Sequence, residues 1–251
     1  MQQPTREATV VITGHNGGIG SVITKQLLHE GYCVLGIDNA SGDGSVAELQ
    51  IELANLADRD ERVERFVTAQ LGDGQLSALI NCAATQITGD FESLGRSALM
   101  HSLAANAIAP VLLTQQLLPR LRRTKHRTTP GTVINIGSIH SRLTKRGFAP
   151  YAISKAALAG VTRSLALELG TQVRTLEIQP AAIASPMLEV GFTDDQEARK
   201  ALDQVHPTGK IGSPQDVANT VSLILQHPSS FLNGGVINLD GGLSFALKDP
   251  C

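Results

Sequence analysis

Seven short apolar, β-rich runs recur along the chain: ATVVIT (8–13), YCVLGID (32–38), LQIEL (49–53), SALIN (77–81), TVINIG (132–137), RTLEIQ (174–179) and GVINLD (235–240). Helical stretches of about 10 to 25 residues separate most of them. This alternation is the pattern of βαβ units on a parallel sheet covered on both faces, and it predicts a doubly wound, Rossmann-like α/β fold. One crossover departs from it. The segment NASGDGSVAE between the second and third runs is rich in Gly and Ser and has about the shortest length a parallel crossover tolerates, so a loop with little or no helix is expected there. No internal repeat, low-complexity tract or Pro/Gly linker divides the sequence. Residues 1–251 are therefore expected to form a single domain.

Composition narrows the class without changing that picture. With 42% hydrophobic and 18% charged residues, the chain can bury a large core. Its 21 basic and 23 acidic residues nearly balance, which gives no general affinity for nucleic acid or for an anionic membrane. The local basic run PRLRRTKHRTTPG (119–131) reads as a solvated helix C-terminus. Cys33, Cys82 and Cys251 are few and irregularly spaced, so neither a disulfide framework nor a metal site is expected, and a reducing compartment follows. No window reads as a signal peptide or as about 18 consecutive apolar residues. A soluble, cytoplasmic protein is expected.

Chemistry first shows at the end of the first run. It leads directly into TGHNGGIG (13–20) and then into the helical SVITKQLLHEG. Glycines at a strand-to-helix turn let backbone N–H groups approach a pyrophosphate, whose charge the helix N-terminus stabilises. The spacing of Gly14, Gly18 and Gly20 is G-x-x-x-G-x-G. The second run ends in Asp38, about 20 residues beyond this loop, where a carboxylate accepts hydrogen bonds from an adenosine ribose. It would also repel the additional phosphate of NADP, and no Lys or Arg lies between Asn39 and Asp58 to offset it. NAD is the expected cofactor. Farther along, YAISK (151–155) places Tyr151 and Lys155 on one helical face, since residues four apart are neighbours there.

Six segments in order, TGHNGGIG, INCAA, Asn106, INIGS, YAISK and QPAAIASPM, resemble the short-chain dehydrogenase/reductase family in its classical form, and the similarity runs from about residue 9 to LDGG at 239–242. The resemblance implies that Ser138, 13 residues before Tyr151, hydrogen-bonds the substrate oxygen, that Tyr151 exchanges its proton, and that Lys155 assists Tyr151 and contacts the nicotinamide ribose. A neighbouring ammonium together with the positive nicotinamide would favour phenolate over phenol. Asn106 precedes Pro110 by four residues. A proline has no N–H to donate to the carbonyl four residues back, and in the family that asparagine binds a water of a proton relay through its main chain.

The same resemblance assigns cofactor contacts to Asn16, Ile19, Asn55, Leu56, Asn81, Ala83, Ile183 and Ser185, beside Gly14, Gly18, Gly20, Asp38, Tyr151 and Lys155. Gln86, Ser138, His140 and Leu188 would meet substrate. Two departures concern geometry: Ala84 and Ala181 stand where the family has glycine, so either these turns avoid positive φ or they carry strain. Gln86 and His140 suit hydroxyl or carboxylate groups, which predicts a small polar substrate: a sugar, polyol or hydroxy acid. Related hydroxy-acid enzymes carry a lysine where this chain has Phe148, which tilts the expectation toward an uncharged polyol or sugar. Residues 187–212 would form the lid, to which Leu188 and Phe192 add apolar surface. The expected activity is an NAD-dependent oxidoreductase acting on CH–OH donors, in a homotetramer or homodimer. The alternatives are a sugar-nucleotide epimerase or dehydratase, which has longer relatives, and a non-catalytic dinucleotide sensor, in which the tyrosine is typically missing.

Overall fold

The structure, a computed structural model, describes residues 8–122, 129–192 and 195–246. Its strands are β1 (Thr9–Thr13), β2 (Cys33–Asp38), β3 (Ala47–Gln50), β4 (Leu76–Asn81), β5 (Gly131–Ile136), β6 (Val173–Pro180) and β7 (Val236–Leu239). They form one parallel sheet in the order β3-β2-β1-β4-β5-β6-β7. Strand order reverses between β1 and β4, which opens a crevice above their carboxyl ends, where ligands of such sheets bind.

The helices are α1 (Gly20–His29), α2 (Glu61–Leu71), α3 (Arg96–Leu103), α4 (Ala109–Leu121), α5 (Ala149–Leu169), α6 (Pro186–Glu189), α7 (Gln196–Val205) and α8 (Pro214–Gln226). Both sheet faces are apolar because consecutive strand residues are buried on opposite sides. Val10, Ile12, Ile80, Ile134 and Ile178 pack with Ile23 and Leu27 of α1 and Val217 and Val221 of α8. Val11, Leu35, Leu79 and Val133 pack with Val63 and Val67 of α2 and Leu113 and Leu117 of α4.

One expectation needs correction. The third strand runs over Ala47–Gln50 and not 49–53, because it pairs only with β2, from Leu35↔Ala47 to Asp38↔Gln50. Beyond that, Glu52 accepts a hydrogen bond from the Ala54 N–H and starts a tight turn, Leu53–Asn55, so Ile51 and Leu53 bury themselves against α2 and α4 instead of extending the ladder. The helical run Arg96–Leu121 has the length and mean hydropathy of a membrane span, although polar residues interrupt it and no 18 consecutive apolar residues occur. Its apolar side is committed to the core through Leu113, Leu117 and Leu121, all fully buried. The crossover between β2 and β3 contains no helix, as its Gly and Ser content predicts.

Candidate active site

The crevice at the strand carboxyl ends is a cleft of about 1660 Å³, running from the glycine loop to the segment after α5 and β6. Its first wall is the turn from β1 into α1. Gly14 adopts φ +68°, and a Cβ there would lie 2.7 Å from the Ala83 Cα. A Cβ on Gly20 would overlap the Gly14 carbonyl, and one on Gly18 would lie 2.6 Å from Pro186 Cδ. The backbone is thus pressed into a cradle that only glycine permits. No side chain caps the N-terminus of α1; the Ser21 and Val22 N–H groups donate to the Gly17 and Ile19 carbonyls, and the positive end of the helix dipole faces the glycine loop, where it favours an anion. The cradle and bare helix end fit a dinucleotide pyrophosphate. Gly18→Ala should weaken cofactor binding by about tenfold, because the loop and the start of α6 must separate; titration calorimetry checks this.

At the far end of the cradle Asp38 is buried, its Oδ2 accepting from the Asn16 N–H at 3.0 Å and its Oδ1 from the Ala40 N–H at 3.2 Å. The sequence did not single out the group behind this arrangement. His15 is buried against Gly36, with its Nε2 3.0 Å from Glu48 Oε2, and Glu48 also accepts from the Gly42 N–H. This clasp fixes the β2–β3 loop next to Asp38. Asp38 and Glu52 both line the cleft here, which doubles the negative charge expected from Asp38 alone.

The side chains expected to react occupy the cleft. Ser138 follows β5, and Tyr151 and Lys155 lie in the first turns of α5, all buried and all lining the cleft. Lys155 Nζ donates to the Ile136 carbonyl at 2.8 Å and lies 5.7 Å from the centre of the Tyr151 ring. Burial pushes the Tyr151 phenol up to about 12, while its hydrogen bond with Ser138 pulls the other way. Burial pushes Lys155 down to about 8, although Cys82 and Glu177 favour its charge. Desolvation is the largest influence on both groups, so the phenolate needs the positive nicotinamide expected beside Lys155. Removing one proton from this pair yields either amine with phenol or ammonium with phenolate. A positive charge bound closer to the phenol oxygen than to the ammonium favours the second form.

The sign of the lysine shift has a consequence for stability. Its folded value lies below its ordinary 10.5, so the unfolded chain holds the extra proton and the penalty is complete below about pH 8 and fades toward 10.5. Lys155→Met should therefore raise stability at pH 7 by about 1 to 3 kcal/mol, with the gain shrinking by pH 10. Denaturant melts at the two pH values measure this.

Asn106 lies in a π turn, 104–108, between α3 and α4. Pro110 cannot donate to its carbonyl, and the ladder loosens there accordingly. Its side chain does what the sequence reading missed. Oδ1 accepts from the Thr85 N–H at 2.8 Å, while Nδ2 donates to the Thr85 carbonyl at 2.8 Å and to Ser154 Oγ at 2.9 Å. Ser154 donates in turn to the Tyr151 carbonyl, so Asn106 ties the segment after β4 to α5.

The cleft brings together Gly14, Gly18, Ile19, Gly20, Asp38, Ala83, Ile183 and Ser185 with Gln86, His140 and Leu188. Four expected contacts lie off its lining. Asn55 is exposed in the turn after β3 and Leu56 follows it, and Glu52 and Leu53 take their place at the cleft. Asn16 faces the other side of the glycine loop, and Asn81 is buried with its Nδ2 donating to Asn135. Ala84 and Ala181 avoid positive φ, since Arg59 is the one non-glycine residue with that conformation among those described; the unstrained alternative holds at both turns.

His140 is held by Thr144, 3.0 Å from its Nδ1, and stacks on Phe148 with ring centres 4.7 Å apart. Burial and Lys145 push it down to about 4, so it is neutral over the ordinary working range. The described residues of the span 187–212 cover this end through α6, the turn Val190–Phe192, α7 and the following chain, which returns to pair Ile183 with Gly212. Leu188, Phe192, Leu202 and Val205 line the cleft from that side.

A family model described as Enoyl-(Acyl carrier protein) reductase matches residues 14–244. An uncharacterized oxidoreductase of Mycobacterium tuberculosis is 32% identical over 252 residues, covering 97% of this chain and 94% of that protein. The 3beta-hydroxysteroid dehydrogenase 1 of Eggerthella lenta is 27% identical, covering 97% and 96%. Among solved structures, the ligand-free aldohexose dehydrogenase of Thermoplasma acidophilum superposes with a TM-score of 0.87 at 23% identity, over 98% of this chain and 97% of that one; the fold is shared.

Proposed function

Since the chain belongs to the short-chain dehydrogenase/reductase family and is an oxidoreductase using a nicotinamide cofactor, NAD or NADP, we propose that it oxidises a secondary alcohol, or reduces the matching ketone, with NAD(H). The buried Ser138–Tyr151–Lys155 group at the floor of the cleft carries this reading. When bound, the nicotinamide accepts or returns the hydride. Ser138 and Tyr151 hold the substrate oxygen between their hydroxyls, and Tyr151 takes or gives the proton at that oxygen. Lys155, anchored on the Ile136 carbonyl, stabilises the phenolate left behind. Asn106 keeps α5 in register with the chain after β4.

Asp38 and Glu52 at the adenosine end support NAD over NADP. Gln86, Thr88, Thr144 and neutral His140 around the reacting centre support a small polar substrate. The lid residues Leu188 and Phe192 fit the apolar side of such a molecule. A cytoplasmic homotetramer or homodimer is proposed on family grounds, and the exposed Phe231, Leu167 and Phe245 supply apolar surface for subunit contact. The basic positions 123–128 and residues 247–251 lie outside the described residues.

The test is a screen of sugars, polyols, hydroxy acids, sterols and long-chain alcohols with NAD and NADP, following reduced-nicotinamide absorbance for wild type, Gln86→Ala and His140→Ala. A polar substrate whose kcat/KM falls in both variants supports the proposal. A preference for sterols that neither substitution touches refutes the polar reading, and cofactor binding without turnover refutes the enzymatic one.

A further inference from the structure

The substrate end of the cleft carries an unbalanced charge. Lys145 and Arg146 line it, and neither takes part in an ion pair or a side-chain hydrogen bond among the described residues. Asp90 lines the same end without pairing with either of them. Lys145 is also positioned. Its Nζ lies 4.5 Å from the centre of the Phe148 ring, whose π face holds a cation in place. Phe148 stacks on His140, and His140 meets the Tyr151 ring edge-on at 5.6 Å. Ammonium, phenyl, imidazole and phenol thus form successive contacts from the cleft mouth to the reacting hydroxyl.

Resting on the reading of the site given above, we propose that the substrate is an anion, a small hydroxy acid or its keto acid, whose carboxylate is bound by Lys145 over Phe148 while its carbinol carbon lies at Tyr151. A carboxylate gains most from a cation that is already positioned and has no competing partner. His140 would add a second donor in the tautomer where the Thr144 hydroxyl, 3.0 Å from Nδ1, donates to that nitrogen and the ring proton is on Nε2. An anion in the cleft favours this tautomer, because the alternative presents a lone pair.

The experiment compares matched pairs differing in the anionic group, gluconate with sorbitol and 3-hydroxybutyrate with 3-hydroxybutyramide, in wild type, Lys145→Met and Lys145→Arg. In wild type, the acid of at least one pair should exceed its neutral partner in kcat/KM by about tenfold or more. Lys145→Met should cut that ratio at least fivefold through KM with kcat largely kept, Lys145→Arg should restore it, and added salt should lower it in wild type. Equal use of acid and neutral partner, or a ratio that Lys145→Met leaves unchanged, overturns the anion inference and leaves the oxidoreductase proposal standing. Cofactor binding with no turnover in either pair or in the wider screen overturns both.

Discussion

Tyr151→Phe is expected to lower kcat by about two to four orders of magnitude, the range that general acid–base catalysis supplies, while leaving the cofactor Kd within about threefold. The ring can be kept because it packs edge-on against His140 and Phe148, and the lost atom is only the hydroxyl that Ser138 contacts. A buried phenol pushed up to about 12 is costly to ionise without a second positive charge, so the enzyme's base should become competent only with oxidised cofactor in place. Rapid-mixing kinetics of hydride transfer, beside cofactor titration by fluorescence, separate the two effects. Near wild-type kcat in Tyr151→Phe would show that the proton passes elsewhere, and equal loss of kcat and cofactor affinity would show a collapsed site.

The double substitution Asp38→Ala, Asn39→Arg is expected to move the NAD to NADP ratio of kcat/KM toward NADP by about 100-fold or more. Removing the carboxylate ends a repulsion, and a guanidinium would add charge-assisted hydrogen bonds worth about 1.5 to 3 kcal/mol each. Asp38 is engaged by the Asn16 and Ala40 N–H groups, so part of the effect comes from loosening the loop that it holds. Glu52 remains at this end of the cleft and accepts from the Asn39 side chain in the wild type; adding Glu52→Gln should shift the ratio further. Steady-state kinetics with both cofactors at low concentration measure it. Wild type already faster with NADP would contradict the choice of NAD.

Local chemistry made much of this protein legible without coordinates. The strand runs were identifiable because a sheet buried on both faces requires consecutive apolar residues, and six of seven runs fall on strands within a residue or two. The glycine loop was legible because contacts such as Gly20 on the Gly14 carbonyl exclude any side chain. That Tyr151 and Lys155 share one face was legible because helical spacing is fixed, and the resemblance to the family singled them out. β3 was misplaced because an edge strand ends where its single partner and a side-chain cap dictate, and hydrophobicity alone cannot distinguish Ile51 in a ladder from Ile51 folded beneath it.

Only the tertiary structure decided the electrostatics and the second layer of the site. Whether Lys155 or desolvation governs Tyr151 depends on burial, which belongs to the assembled cleft and not to a five-residue motif. Asn106 could be placed on its helix, but its side-chain partners Thr85 and Ser154 are 21 and 48 residues away in sequence. The clasp of His15 and Glu48 spans 33 residues and has no motif. The Lys145 ammonium over Phe148 lies close in sequence, yet it depends on which way a loop turns. The sequence by itself determined the fold class, the cradle and the placement of Tyr151 and Lys155 on one helical face, because those follow from backbone sterics and fixed helical spacing; the roles expected of these groups came from the family resemblance. Folding decided how strongly each group holds its proton and which charges face the substrate, because both depend on the solvent and partners removed or supplied by distant segments.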